Sequence, residues 1–223
     1  VLSIAVSADE EGRVVIGTEK GVFASYDKEG SWKDISFILK NRPVRYLALA
    51  KDTIYASGDD GVYSNKSGRD GWERIYVKSS SEKTEEEDPA GSTDTEDGGQ
   101  NCDVPIAIAG SRLYVGSGGG ISYTDDEKNW NAIPGGGLSG IVTHIAASAI
   151  QPIAGRTADA ANSDDLYCAT TKGVFRYDLE KSAWQELYKG PGTAFTVNGL
   201  VLDGDTKNSL WALTDRGLYK LES

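Results

Sequence analysis

The chain has 223 residues, 39% of them hydrophobic and 26% charged, with one His, two Cys, no Met and a formal charge of −11. That apolar content excludes a disordered or fibrous protein, and the length suits one large domain or two small ones. The acidity is local, because residues 79–101 hold eight acidic residues and one Lys and leave the other 200 residues with a net charge of only −4.

In chain order, a strand over Ile4-Ala5-Val6-Ser7 precedes a hairpin in which Val14-Val15-Ile16-Gly17-Thr18 leads to Gly21-Val22-Phe23, and Trp32 follows. The pattern returns as Leu47-Ala48-Leu49-Ala50, then Ile54-Tyr55-Ala56-Ser57-Gly58 with Gly61-Val62-Tyr63, then Trp72. A third copy runs Ile106-Ala107-Ile108-Ala109, Leu113-Tyr114-Val115-Gly116-Ser117, Gly120-Ile121 and Trp130. The fourth runs Ile145-Ala146-Ala147-Ser148, Leu166-Tyr167-Cys168-Ala169-Thr170, Gly173-Val174-Phe175 and Trp184. In the fifth, Leu200-Val201-Leu202-Asp203 precedes Leu210-Trp211-Ala212-Leu213-Thr214 and Gly217-Leu218-Tyr219, and the matching Trp would fall beyond Ser223.

Each phrase is a hairpin of β-branched and aromatic residues whose tight turn ends in Gly, the residue that tolerates positive φ. With the strand before it and the Trp-bearing strand after it, one unit is a four-stranded meander. Units of roughly forty residues built this way predict a β-propeller, here all-β with five blades, the last three-stranded. The expected blades are 1–37, 43–78, 102–133, 141–188 and 194–223 of a single domain, with insertions at 79–101 and 151–165. A sandwich or barrel would not return a Gly and a Trp in phase, and period-two alternation excludes helical repeats.

The stretches 13–27, 165–178 and 209–221 resemble the repeats of two-component-regulator propellers, with Arg176-Tyr177-Asp178 the closest copy. Residues Ser25, Asp27 and Trp32 also resemble the Asp-box of sialidase-like repeats, in which Ser31 replaces Thr and Gly30 stands one place late. The match is weaker elsewhere: Ser67 occupies the Asp position before Trp72, Asp125 is in place before Trp130, and Asp178 is one residue early for Trp184. The resemblance implies a structural role for Asp27, Asp125, Asp178 and the four Trp residues, with the carboxylate tying down a turn and the Trp packing between blades.

Function should concentrate on loops at the end of the ring where the second-to-third-strand turns meet the links between blades, termed the top. Residues Arg42, Arg45, Tyr46, Thr143, His144, Thr196 and Asn198 lie near that axial mouth and form the expected ligand site. Arg42 and Arg45 flank Pro43 and could grip a carboxylate or phosphate, with solvated loop residues as the alternative. A lone His excludes a multi-imidazole metal site, and neither a cofactor nor a catalytic residue is expected. Inner strands of Ala, Ser, Ile and Leu lack the facing carboxylates of a glycosidase, with only Asp103 and Asp203 near their ends.

The net negative charge disfavours nucleic acid, and no apolar run is long enough to span a bilayer. A start at Val1 without any Met suggests a processed or trimmed product. The expected location is outside the cell or in the cell envelope. Two cysteines are too few for a disulfide scaffold, and Cys102 and Cys168 are expected as free thiols, Cys168 as a small core residue. The acidic insertion reads as a solvated loop, with a basic partner or weak cation binding as the alternative. The leading functional expectation is a non-catalytic binding or scaffold module with a protein or glycan partner. A lectin-like propeller and a glycosidase- or lyase-type enzyme are the alternatives. The open edge over 217–223 invites strand addition, giving either a monomer or an edge-mediated oligomer.

Overall fold

A computed structural model describes residues 1–7, 12–26, 30–50, 52–66, 71–78, 104–134, 136–149, 164–189, 197–203 and 209–221. Five antiparallel sheets form a five-bladed β-propeller. Blade one holds β1 (Ser3–Val6), β2 (Val14–Thr18), β3 (Gly21–Ser25) and β4 (Lys33–Asp34). Blade two holds β5 (Tyr46–Ala50), β6 (Thr53–Gly58), β7 (Gly61–Lys66) and β8 (Glu73–Val77). Blade three holds β9 (Ile106–Ala109), β10 (Arg112–Ser117), β11 (Gly120–Thr124) and β12 (Asn131–Ala132). Blade four holds β13 (Val142–Ala149), β14 (Asp164–Thr170), β15 (Gly173–Asp178) and β16 (Ala183–Lys189). Blade five has three strands, β17 (Val197–Asp203), β18 (Ser209–Thr214) and β19 (Gly217–Leu221). The one helical feature among the described residues is a 3-10 turn at Phe37–Leu39, after the outer strand of blade one.

Each repeat glycine closes the hairpin between the second and third strands, but for different reasons. Gly61 has φ +150°, and a β-carbon there would collide with the Tyr76 carbonyl of β8. Gly173 has no such torsion, yet a β-carbon would strike the Tyr188 carbonyl of β16 in the same way. The close approach of the fourth strand thus demands glycine at positions 61 and 173, whereas Gly21 and Gly217 have φ values of +120° and +131°. Gly120 has neither constraint, since no positive φ is present and nothing lies closer to its would-be β-carbon than the Ser117 oxygen at 4.0 Å. Its neighbour β12 is only two residues long and does not reach the turn.

Period-two strands bury both faces, which divides the core into four hydrophobic clusters, one between each successive pair of blades. Val15, Val22, Ala24, Ile35, Leu39, Ile54, Ala56 and Trp72 join blades one and two. Tyr55, Val62, Ile106, Leu113 and Val115 join two and three. Tyr114, Ile121, Ile145, Cys168, Phe175 and Trp184 join three and four, and Tyr167, Val174, Leu210 and Ala212 join four and five. Cys168 is a free thiol, fully buried, and burial pushes its pKa up. Cys102 lies outside the described residues, as do Asp27, Thr196, the acidic segment 79–101 and residues 151–163.

Candidate functional site

The inner strands β5, β9 and β13 stand side by side around the axis, so the start of β5 and the start of β13 face each other past β9. Tyr46, at the start of β5, donates its hydroxyl to the Thr143 carbonyl at 2.7 Å. Its ring meets the His144 imidazole edge-on, with centroids 5.5 Å apart. Blade two is thus bridged to blade four across the top of the ring. Burial holds the His144 imidazole down to a pKa of about 4, although a backbone hydrogen bond with Val197 of blade five works to raise it. The ring is neutral at physiological pH as a result. Two polar atoms at this point, Thr143 Oγ1 and His144 Nδ1, are shielded from solvent and have no hydrogen-bond partner among the described residues.

Tyr46, Thr143 and His144 are therefore brought together. Asn198 lies exposed on β17, next to the residue that bonds His144, and Arg45 precedes Tyr46 at the head of β5. Arg42, in the link before blade two, turns away from this group toward the β6–β7 hairpin. Its Nη1 reaches both Asp60 oxygens and the Tyr63 hydroxyl at 3.1 Å, while Arg74 adds a second contact to Asp60 at 3.2 Å. Burial acts to raise the Asp60 carboxyl, but hydrogen bonds from Tyr63 and Arg42 hold it below its ordinary range. The hydrogen bond to Asp60 in turn raises the Arg42 guanidinium. With the Asp60 carboxylate already against its Nη1, Arg42 is less available to an anionic ligand.

A second polar site lies at the opposite end, between blades two and three, and no motif in the sequence announced it. Glu127, in the turn after β11, has φ +63° and extends its carboxylate onto blade two. There it accepts from the Tyr55 hydroxyl at 2.8 Å, from Ser64 Oγ at 3.3 Å and from Lys66 Nζ at 2.9 Å. A cleft of about 190 Å³ adjoins it, lined by Tyr55, Lys66, Ser111, Asp125 and Glu127 among others. The only sequence signal is the acidic run Asp125-Asp126-Glu127 at a strand end, which is common in any turn.

The same turn corrects one assignment. The carboxylate that ties it down is Asp126, which accepts from the Lys128 and Asn129 amides at 2.9 and 2.8 Å. Those bonds draw its pKa well below the carboxylate range. Asp125 instead forms a two-pronged pair with Arg112, at 2.9 and 3.0 Å. In blade four Asp178 does hold its turn, accepting from the Lys181 amide at 3.1 Å. No group of three or more His, Cys, Asp or Glu placed to hold a metal occurs among the described residues. No helix among them is long and apolar enough to cross a membrane.

The chain matches no protein-family model and no curated protein. Solved structures do match it along almost its whole length. A chain named as the extracellular domain of the one-component system BT4673 of B. thetaiotaomicron aligns with 97% of this chain and 26% of its own, at 18% identity and a TM-score of 0.63. Virginiamycin B lyase from Staphylococcus aureus aligns over 96% of this chain and 68% of its own, at 12% identity and a TM-score of 0.60. The gluconolactonase XC5397 of Xanthomonas campestris aligns over 97% and 70%, at 12% identity and a TM-score of 0.61. This chain thus spans about a quarter of that extracellular domain and about two thirds of the two enzymes. Neighbours that range from the extracellular domain of a one-component system to a lyase and a lactonase, all at such low identity, fix the fold of this chain as a β-propeller and leave its activity to be argued from its own residues.

Proposed function

We propose that the protein is a non-catalytic β-propeller module that binds a protein or glycan ligand at its top mouth, outside the cell or in the cell envelope. The observation that carries the reading is the pair of shielded polar atoms, Thr143 Oγ1 and His144 Nδ1, beside Tyr46 at the axis. An unpartnered buried polar atom costs about 1–3 kcal/mol, so native structures retain one where something else satisfies it. A ligand hydroxyl or amide that displaces the Tyr46 ring would satisfy both atoms, with Arg45 and Asn198 as further contacts. The described carboxylates favour binding over catalysis. Asp60, Asp126 and Glu127 are each engaged by groups of the scaffold, and Asp126 and Glu127, which line one cleft with Asp125, are held by the amides of their own turn and by Tyr55 and Lys66.

His144 is the sole histidine, so its ring protons give one unambiguous NMR signal. Titration with a panel of neutral and acidic saccharides and short peptides should shift that signal for a true ligand. The Thr143→Val variant should weaken the response about tenfold, the equivalent of one buried hydrogen bond. Turnover of a panel member, or a ligand that binds without disturbing His144, would count against this reading.

A further inference from the structure

Four clusters join five blades in succession, and among the described residues no cluster joins blade five to blade one. The residue after each repeat glycine makes the difference plain. Val22, Val62, Ile121 and Val174 are all at most 3% exposed, whereas Leu218 of blade five is 62% exposed. On the side of each blade that meets the one before it, Ile106 and Ile145 are buried and Leu47 and Leu200 pack into a core. The equivalent Ile4 of blade one is 64% exposed, and Val6 beside it is exposed as well. Trp72 and Trp130 reach back to the preceding blade, donating indole N–H to the carbonyls of Ile35 and Ile75. Trp32, in the same place on blade one, is 49% exposed.

Blade five is unsuited to cover that side. It lacks a fourth strand, the element in or just after which Ile75 and Ile35 supply the carbonyls that accept from Trp130 and Trp72. It also carries Leu213 where the packed interfaces have Gly17, Ser57, Gly116 and Ala169. At two of these positions a β-carbon would already press on the next blade, on Val44 for Gly17 and on Val142 for Gly116. A second copy offers the same blade five, which fails on both counts, and beyond it only the same open side of blade one.

From these positions we propose that the open side of blade one, with Ile4, Val6 and Trp32, is an interaction surface for a further four-stranded blade of this repeat, carried by polypeptide outside residues 1–223. Its fourth strand would give Trp32 its carbonyl, and its apolar face would cover Ile4 and Val6. The interface would continue the series already formed four times in this molecule. The lengths agree with room for it, since five blades fill only 68–70% of the lyase and lactonase chains they align with.

Hydroxyl-radical footprinting reads side-chain exposure directly, and it is applied to residues 1–223 and to the complete natural polypeptide that contains them. In residues 1–223, Trp32 should be oxidised about seven times faster than Trp72, the ratio of 49% to 7% exposure. In the complete polypeptide that ratio should fall to near one and stay there on dilution. A Trp32 that remains reactive in the complete polypeptide, including the case in which residues 1–223 are all of it, overturns the proposal. So does protection of Trp32 in residues 1–223 that grows with concentration alongside a dimer in sedimentation, which would assign the surface to a second copy. As a second measurement, Trp32→Phe should lower the melting temperature of the complete polypeptide and leave that of residues 1–223 unchanged. The test does not depend on any ligand at the top mouth.

Discussion

The indole of Trp72 donates to the backbone carbonyl of Ile35 at 2.7 Å, and both residues are buried. One side chain thus ties the outer strand of blade two to the segment that follows the outer strand of blade one. Trp72→Phe keeps most of the apolar area but strands the Ile35 carbonyl. The expected cost is about 1–3 kcal/mol, which lowers the melting temperature by about 2–4 °C per kcal/mol in a chain of this size. Trp32→Phe in the same chain should cost less than about 0.5 kcal/mol, as for an exposed side chain. Thermal unfolding followed by circular dichroism checks both.

Glu127 joins blade three to blade two through Tyr55, Ser64 and Lys66. Glu127→Ala leaves the half-buried Tyr55 hydroxyl without its acceptor and should destabilise by about 1–3 kcal/mol. Tyr55→Phe should cost less, since donor and polar burial disappear together. A double-mutant cycle in urea should return a coupling of about 1 kcal/mol, and full additivity would remove the latch from the account of this interface.

The fold should lose stability on mild acidification because of His144. Its folded pKa of about 4 lies below the ordinary 6.5, so between those values the unfolded chain binds a proton that the folded chain refuses. The contribution is fully present above pH 6.5 and declines as pH falls toward 4, by about 3 kcal/mol in all. Stability measured from pH 7 to 5 should show this slope in the native chain. His144→Gln should flatten it, and direct NMR titration of the ring gives the folded pKa.

Two glycines in the same repeat position should respond differently to alanine. Gly61→Ala meets the Tyr76 carbonyl and a torsion of +150°, so it should cost more than about 2 kcal/mol. Gly120→Ala meets open space and should cost less than about 1 kcal/mol. Equal effects would show that the fourth strand does not set the need for glycine.

Blade number, the strand set and the short last blade were legible in the chain because the hairpin glycine and the interblade Trp recur in phase. Both serve contacts that several of the blades repeat, so local spacing records them. What the spacing could not record were contacts made once. Asp126 and Asp125 are adjacent carboxylates, and only the direction in which the turn opens decides that one holds amides and the other holds Arg112. Glu127 and Tyr55 are 72 residues apart, and Arg42 finds its carboxylate on a neighbouring turn, not at the mouth. The grouping of Tyr46 with His144 was foreseen as proximity to one mouth, but the bond across it to Thr143 depends on how β5 and β13 face each other around the ring.

That bond has a bearing on how the molecule comes apart. In an array of repeats where each unit touches only its neighbours, the ends can unravel while the middle stays folded. Tyr46 breaks that rule by bracing blade two directly to blade four over the head of blade three. The three central blades then behave as one cooperative block, and blades one and five are left as the parts that open first.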